Sequence, residues 1–149
     1  MTRESVLAAF SNLNREAGSA PHKPLLALYA VSQWLHSGKA VFRFVELEEP
    51  VTDLIRTFGG AGSSTARDPF WFLRSDGIWM VESAAGAWAG SDRPTLEELH
   101  SRDARGRFTP EVLADLEASP GLAVELIGRL LGTYFDSADH RTLLGRLGL

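Results

Sequence analysis

Apolar residues recur along most of this chain at the three- and four-residue spacing of amphipathic helices. Thr2 is a suitable N-cap for a first helix, whose apolar face consists of Val6, Leu7, Phe10 and Leu13. A second helix starts at Pro24 and is apolar nearly all round, as expected of a buried central helix. Gly38 stands where a left-handed residue ends such a helix.

Five further helices are predicted later in the chain. The first lies near Pro50 and stops at Gly59 and Gly60, and the second is opened by the capping box Thr95–Glu98 and ended by Gly106. The next two are started by Thr109-Pro110 and by Ser119-Pro120. The last one contains Leu143, Leu144 and Leu147. The small and polar stretches 14–20 and 61–66 are predicted to be loops.

Two segments have the composition of β-strands. Residues 40–44 predict a short strand with Phe42 and Phe44 on one face. In the aromatic segment 70–81, two β-rich runs flank Asp76-Gly77, a dipeptide that favours hairpin turns. The pattern as a whole therefore predicts an α+β fold: a mostly helical single domain over residues 1–149 with a small antiparallel β-hairpin or sheet.

The composition narrows the class of protein. A length of 149 residues, 44% of them hydrophobic and 23% charged, is typical of one globular domain. The apolar runs are too short to cross a bilayer, which needs about 20 residues, and no signal peptide is visible after Met1. The absence of cysteine agrees with a reducing compartment. We expect a soluble cytoplasmic protein that does not bind membranes.

The charge argues against indiscriminate binding of nucleic acid. The net charge is −4, whereas general nucleic-acid binders are strongly basic. Basic residues nevertheless gather in one part of the chain: Arg93, His100, Arg102, Arg105 and Arg107. A local basic face on an acidic protein is compatible with selective binding.

The chain lacks the sequence patterns of common catalytic sites. Its four histidines have no partners at the spacing of zinc ligands. Gly59, Gly60 and Gly62 do not form a phosphate-binding loop, and no serine lies in a nucleophile elbow. The sequence therefore predicts a binding protein with no catalytic residues, no metal and no cofactor.

Two motifs resemble those of a known family. The segments are Ala20-Pro-His-Lys-Pro-Leu-Leu-Ala-Leu28 and Asp68-Pro-Phe-Trp-Phe-Leu-Arg-Ser-Asp-Gly-Ile-Trp79, followed in the family's order by Gly106-Arg-Phe-Thr-Pro-Glu111 and the tail 134–149. In this combination the chain resembles the sulfur-binding domain of type IV, phosphorothioation-dependent restriction endonucleases. The resemblance extends over nearly the whole chain. It implies a recognition module for double-stranded phosphorothioate-modified DNA.

The resemblance also implies a small apolar pocket for the backbone sulfur. Pro69 matches the proline at the floor of this pocket, Phe72 lies near its wall, and His22 and Asp68 border it. The residue before the proline is commonly a tyrosine in the family, and here it is Asp68. A carboxylate near a phosphorothioate costs about 1 kcal/mol or more at short range. Either Arg67 offsets this cost, or Asp68 accepts a hydrogen bond from a cytosine amino group, or sulfur recognition is weakened or lost.

Basic and polar residues around this pocket are expected to contact the DNA. The resemblance assigns this role to His22, Lys23, Arg67, Asp68, Ser91 and Arg93. In addition, Trp88 and the trio Arg102, Arg105 and Arg107 are open to either a structural or a DNA-facing role.

Physical chemistry supports an apolar pocket independently of the family. Sulfur is larger, softer and less hydrated than the phosphate oxygen it replaces, so an apolar surface accepts it and penalises the oxygen. Two alternatives remain: a reader of another DNA modification or of unmodified DNA on the same scaffold, and a protein-interaction module of a defence system. Proteins of this family usually carry an HNH nuclease, and no such segment is found here, so a fused or associated nuclease domain is the expected partner.

Overall fold

The computed structural model describes residues 2–13, 21–60 and 65–149. The predicted loop 14–20, and residues 61–64 of the predicted loop 61–66, lie outside the described residues. Within the described residues the fold is α+β and mostly helical, as predicted. None of the helices found there is long and apolar enough to cross a membrane.

Eight α-helices occur in the described residues. They are α1 (Arg3–Ser11), α2 (His22–Ser37), α3 (Phe44–Phe58), α4 (Arg67–Phe72), α5 (Leu96–Ser101), α6 (Pro110–Ala118), α7 (Leu122–Tyr134) and α8 (Ser137–Arg146). The predicted N-caps are confirmed, because the side chains of Thr2, Thr95 and Thr109 each accept a hydrogen bond from a backbone N–H in the first turn. Gly38 ends α2 in the left-handed conformation, with φ 71°.

Four strands form one antiparallel sheet. They are β1 (Val41–Arg43), β2 (Trp79–Ser83), β3 (Gly86–Ala87) and β4 (Arg105–Phe108), in the order β1-β4-β2-β3. In the inner strand β4, Gly106 lies opposite Phe42 of β1 and Val81 of β2.

An aromatic cluster joins α4 to the sheet. Phe70 of α4 contacts both Phe44 and Trp79 edge-on, with ring centroids 4.9 and 6.1 Å apart. The Trp79 indole N–H also donates a hydrogen bond to the Phe70 carbonyl at 3.0 Å. Phe42 and Phe108 complete the cluster. Because these side chains are all buried, α4 has a defined position on the core.

The predicted hairpin at Asp76-Gly77 is wrong. Residues before it form α4 and then a 3₁₀ turn, Leu73–Asp76, and Gly77 ends that turn with φ 78°. A left-handed glycine is required at the end of a helical turn as well as in a hairpin, so this dipeptide does not distinguish the two. The observed hairpin joins β2 to β3, with Ser83 opposite Gly86.

Several predicted boundaries also differ. The first strand ends at Arg43, and α3 begins at Phe44 with Pro50 inside it rather than at its start. The helix opened by Thr95 ends at Ser101, whereas Gly106 belongs to β4. Helices α2 and α7 begin at His22 and Leu122 instead of Pro24 and Pro120. Proline marks the neighbourhood of both helix starts, and each observed boundary lies two residues from it.

Candidate nucleic-acid interface

A groove lies between α4 and the loop formed by residues 88–94, here called the Trp88–Pro94 loop. Its volume is about 350 Å³, and it is lined by Arg67, Asp68, Trp71, Phe72, Arg93 and Pro94. Four of these residues, Arg67, Asp68, Phe72 and Arg93, were predicted from the sequence to border the sulfur or to contact DNA. The fold thus brings together residues from two separate segments.

Helical spacing places the α4 residues on one face. Arg67 and Trp71 are four residues apart, as are Asp68 and Phe72, and side chains at this spacing lie side by side on a helix. Pro69 lies in the first turn, where its missing N–H costs no helical hydrogen bond. It is buried and is not among the residues that line the groove.

The groove combines an exposed aromatic ring with one excess positive charge. Phe72 is 41% exposed, unusual for a phenylalanine, and the guanidinium carbon of Arg93 lies 5.9 Å from its ring centroid. Arg67 forms an ion pair with Asp68, with Nη2 and Oδ1 separated by 2.9 Å. Two arginines against one aspartate leave a net positive charge, and Arg67 balances the Asp68 carboxylate.

Trp71 is the largest side chain in the groove wall and has one cationic and one aromatic neighbour. The guanidinium carbon of Arg74 lies 3.5 Å from its ring centroid, and the Arg74 Nε donates to the Trp71 carbonyl. The Trp88 ring is 5.4 Å from the Trp71 ring, centroid to centroid. Trp88 therefore packs on α4 and ties the Trp88–Pro94 loop to it.

Glu98 of α5 holds the middle of the Trp88–Pro94 loop. Its carboxylate accepts hydrogen bonds from the Ser91 hydroxyl at 2.5 Å and from the Ser91 backbone N–H at 2.8 Å. These two bonds from Ser91, hydroxyl first, hold the pKa of the Glu98 carboxyl below its ordinary value. The Ser91 carbonyl in turn accepts from the Trp88 indole N–H at 3.0 Å. The polar groups of Ser91 are thus engaged within the protein.

His22 and Lys23 lie at the start of α2 and do not line the groove. The His22 ring packs against Gly59, where a Cβ would come within 3.0 Å of it. The Lys23 ammonium lies 2.8 Å from a carboxylate oxygen of Asp76, and the two side chains are only 12% and 3% exposed. Because Asp76 follows α4 in the chain, this ion pair links α2 to the segment that carries the groove.

The sequence analysis missed Trp71 and Pro94 as groove residues. The signal for Trp71 was its spacing from Arg67, which was obscured because the segment was interpreted as a strand. In a strand, Asp68 and Phe72 would lie on one face, and Arg67 and Trp71 would lie on the opposite face. In a helix, all four side chains lie on neighbouring parts of one face. Pro94 has no signal in the local sequence, since its burial depends on the folded loop.

The other basic residues singled out from the sequence are paired. Arg102 contacts Glu98, Arg105 contacts Asp103, and Arg107 contacts Glu82. In the part of the chain that the structure describes, no three histidine or acidic side chains are grouped as a metal site would require.

The fold and the groove define the class of protein as an α+β domain with a cationic, partly aromatic groove. None of the curated proteins compared with this sequence matches it. The family model of the ScoMcrA-like DNA sulfur-binding domain matches residues 3–149. The chain therefore belongs to this family.

Solved structures of the same kind resemble the chain. The sulfur binding domain of ScoMcrA complexed with phosphorothioated DNA is 25% identical over 96% of this chain and 94% of that chain, with a TM-score of 0.77. The sulfur binding domain of SprMcrA complexed with phosphorothioated DNA is 22% identical over 100% of this chain and 95% of that chain, with a TM-score of 0.77. At this identity the match shows similarity of fold only. The type IV phosphorothioation-dependent restriction endonuclease ScoMcrA matches with a TM-score of 0.77 at 25% identity, and this chain spans 28% of its length.

Proposed function

We propose that this chain binds double-stranded DNA that carries a phosphorothioate link, and that it does so through the groove between α4 and the Trp88–Pro94 loop. The observation that carries the proposal is membership in the sulfur-binding family over residues 3–149, supported by a relative solved with such DNA. The relative's ligand is transferred to this chain because the match covers nearly all of both domains.

The groove residues suit a sulfur-bearing phosphodiester. Phe72 and Pro94 offer apolar contact to the sulfur, which is weakly hydrated, whereas an ordinary phosphate oxygen placed there would lose water without a replacement hydrogen bond. Arg93 and Arg67 supply positive charge for the backbone. Pro69, which is buried in the first turn of α4, is proposed to shape the floor of the pocket.

His22 and Lys23 are proposed to contact backbone flanking the modified link from the start of α2. Lys23 already holds Asp76, so we expect it to contribute less to DNA affinity than Arg93, which lies against Phe72 in the groove. Ser91 is proposed to act within the Trp88–Pro94 loop, since Glu98 and Trp88 engage its hydroxyl, N–H and carbonyl.

The chain is proposed to be a targeting module of a modification-dependent restriction system in the cytoplasm, without catalytic activity of its own. The matches are to sulfur-binding domains, and the full-length ScoMcrA is a restriction endonuclease of which this chain spans 28%. DNA cleavage would then belong to a fused or associated nuclease domain.

We expect the chain to bind a phosphorothioate duplex about 5- to 150-fold more tightly than the same duplex with oxygen, because a phosphate oxygen that loses its water without a replacement hydrogen bond costs about 1–3 kcal/mol. The measurement is a fluorescence-anisotropy titration of both duplexes at two salt concentrations, with magnesium present and the recovered DNA checked for cleavage. Equal affinities with a steep salt dependence would indicate a reader of unmodified DNA, and no binding to either would favour a protein-interaction module.

Asp68→Ala is expected to tighten binding on average and to reduce discrimination among sequences. Removing the carboxylate relieves repulsion of about 1 kcal/mol and releases Arg67 from its ion pair. If Asp68 reads a cytosine amino group, about 1–3 kcal/mol of base discrimination is lost with it. The measurement is affinity for a series of phosphorothioate duplexes that differ in the bases around the link.

Asp92→Ala is the matched control for Asp68→Ala. Asp92 is an exposed acid next to Arg93 that does not line the groove, so its removal changes the local charge equally. We expect Asp92→Ala to raise all affinities together without altering their spread. An Asp68→Ala variant that changes neither the mean nor the spread would remove Asp68 from the interface.

A further inference from the structure

The Trp88–Pro94 loop approaches the Glu98 side chain of α5 closely at Gly90. A Cβ on Gly90 would lie 2.4 Å from Oε2 of Glu98 and 2.5 Å from Cζ2 of Trp88. At such distances either Glu98 or Trp88 would have to shift, so the loop backbone at Gly90 lies close to the Glu98 carboxylate. The carboxylate is therefore part of the packing of the loop as well as a hydrogen-bond acceptor.

Glu98 also lies in a chain of contacts that reaches the groove. It holds Ser91, Ser91 accepts from Trp88, and Trp88 packs on Trp71 in the groove wall. Arg102 contacts the same carboxylate at 3.3 Å and lies 6.0 Å from the Trp88 ring centroid. Immediately after Ser91 the loop continues to the groove-lining Arg93 and Pro94.

We propose that Glu98 is a positioning residue for DNA recognition: it fixes the Trp88–Pro94 loop through Ser91, so that Arg93 and Pro94 face Phe72 before DNA arrives. This inference rests on the proposed function. Glu98 does not line the groove, so its influence on DNA passes through the loop. A loop ordered in advance avoids the entropy cost of ordering on binding, which is how preorganisation increases affinity.

The direction in which the DNA affinity changes when the Glu98 charge is removed distinguishes a positioning role from a purely electrostatic one. Removing an acid near a DNA site favours binding when charge alone acts, because DNA is a polyanion. Glu98→Gln is expected to do the opposite and weaken binding to a phosphorothioate duplex about tenfold, since the neutral amide cannot accept both hydrogen bonds from Ser91. Glu97→Gln removes the same charge from the neighbouring, exposed position of α5, and we expect its affinity to stay within about twofold of the parent or to rise.

Two measurements accompany the titrations. Hydrogen exchange of the Ser91 amide, followed by NMR, is expected to be at least about tenfold faster in Glu98→Gln than in Glu97→Gln. The Leu99 amide, which donates to the Thr95 carbonyl within α5, should exchange equally in both variants. This comparison reports on the loop without DNA, so it tests the positioning role even when the parent chain shows no preference for sulfur, the result that would overturn the proposed function.

Ser91→Ala provides the second variant, and it removes only the hydroxyl bond to Glu98. We expect this variant to lose about threefold in affinity. The double variant Ser91→Ala/Glu98→Gln is expected to bind no more weakly than Glu98→Gln alone, because the two residues act through the same pair of hydrogen bonds. Additive losses in the double variant, or a Glu98→Gln affinity equal to that of Glu97→Gln, would overturn the proposal. If Glu98→Gln does not fold, a Ser91→Ala variant with unchanged affinity and with unchanged protection of the amide at position 91 also overturns it.

Discussion

Asp76→Ala is expected to lower the free energy of unfolding by about 3–5 kcal/mol, because it leaves the Lys23 ammonium in a nearly buried position without its carboxylate. Lys23 and Asp76 are 12% and 3% exposed, and their charged atoms are 2.8 Å apart. For a domain of this length the loss corresponds to a decrease of about 10 °C in melting temperature. Thermal and urea unfolding followed by circular dichroism measure it.

Asp53→Ala is the matched control for Asp76→Ala. Asp53 forms an ion pair with Arg56 on the surface, where the side chains are 53% and 72% exposed. An exposed pair of this kind contributes only about 0–1 kcal/mol. Adding Lys23→Met to Asp76→Ala should recover much of the lost stability, because the uncompensated buried charge is then gone. A similar loss in both single variants would contradict the assignment of Lys23 and Asp76 as a structurally important pair.

Gly106→Ala is expected to destabilise the protein by about 3 kcal/mol. A Cβ at this position of β4 would lie 2.0 Å from Cζ2 of Trp79 and 2.8 Å from Cε1 of Phe70. Neither aromatic ring can withdraw easily, because both are buried and the Trp79 indole is hydrogen-bonded to the Phe70 carbonyl. The substitution therefore forces a shift of α4 or of the sheet, and chemical denaturation measures the cost.

Gly128→Ala is the control for Gly106→Ala. Gly128 is an exposed residue in the interior of α7, and a Cβ there would meet no atom within 4 Å. Alanine at an open helical position stabilises by about 0.5–1 kcal/mol relative to glycine. The two substitutions thus have opposite expected signs. If Gly106→Ala is neutral, the Trp79 ring does not occupy the space left by the glycine.

Gly106 also connects stability to recognition. The same Phe70 and Trp79 side chains that would clash with a Cβ hold α4 on the sheet, and α4 carries the exposed Phe72. We therefore infer that the aromatic cluster fixes the groove wall from below, while Glu98 fixes the opposite wall from α5. The two walls also contact each other through Trp71 and Trp88.

The sequence by itself determined those features that depend on neighbouring residues. The caps at Thr2, Thr95 and Thr109 were predictable because each side chain bonds to its own first turn. The helical class followed from apolar periodicity, and the family followed from short motifs in a fixed order. The choice of Arg67, Asp68, Phe72 and Arg93 came from that resemblance, and the structure places all four around one groove.

Only the tertiary structure decided how the middle of the chain folds. The segment 70–81 contains strand-forming aromatic residues, but packing of Phe70 against Phe44 and Trp79 makes its first part helical. Tertiary contacts override local propensity here because a buried aromatic ring contributes more free energy than the propensity difference of a few residues.

The strand β4 could not be predicted from the sequence pattern for a related reason. Its inward positions are Gly106 and Phe108, and the glycine lacks the apolar side chain that would have revealed the alternation of a strand. Trp79, distant in sequence, fills that space. The groove likewise depends on contacts between Trp71 and Trp88 and between Glu98 and Ser91, which join separate segments. Spacing along the chain does not encode such contacts, since they arise only when the folded core brings the segments together.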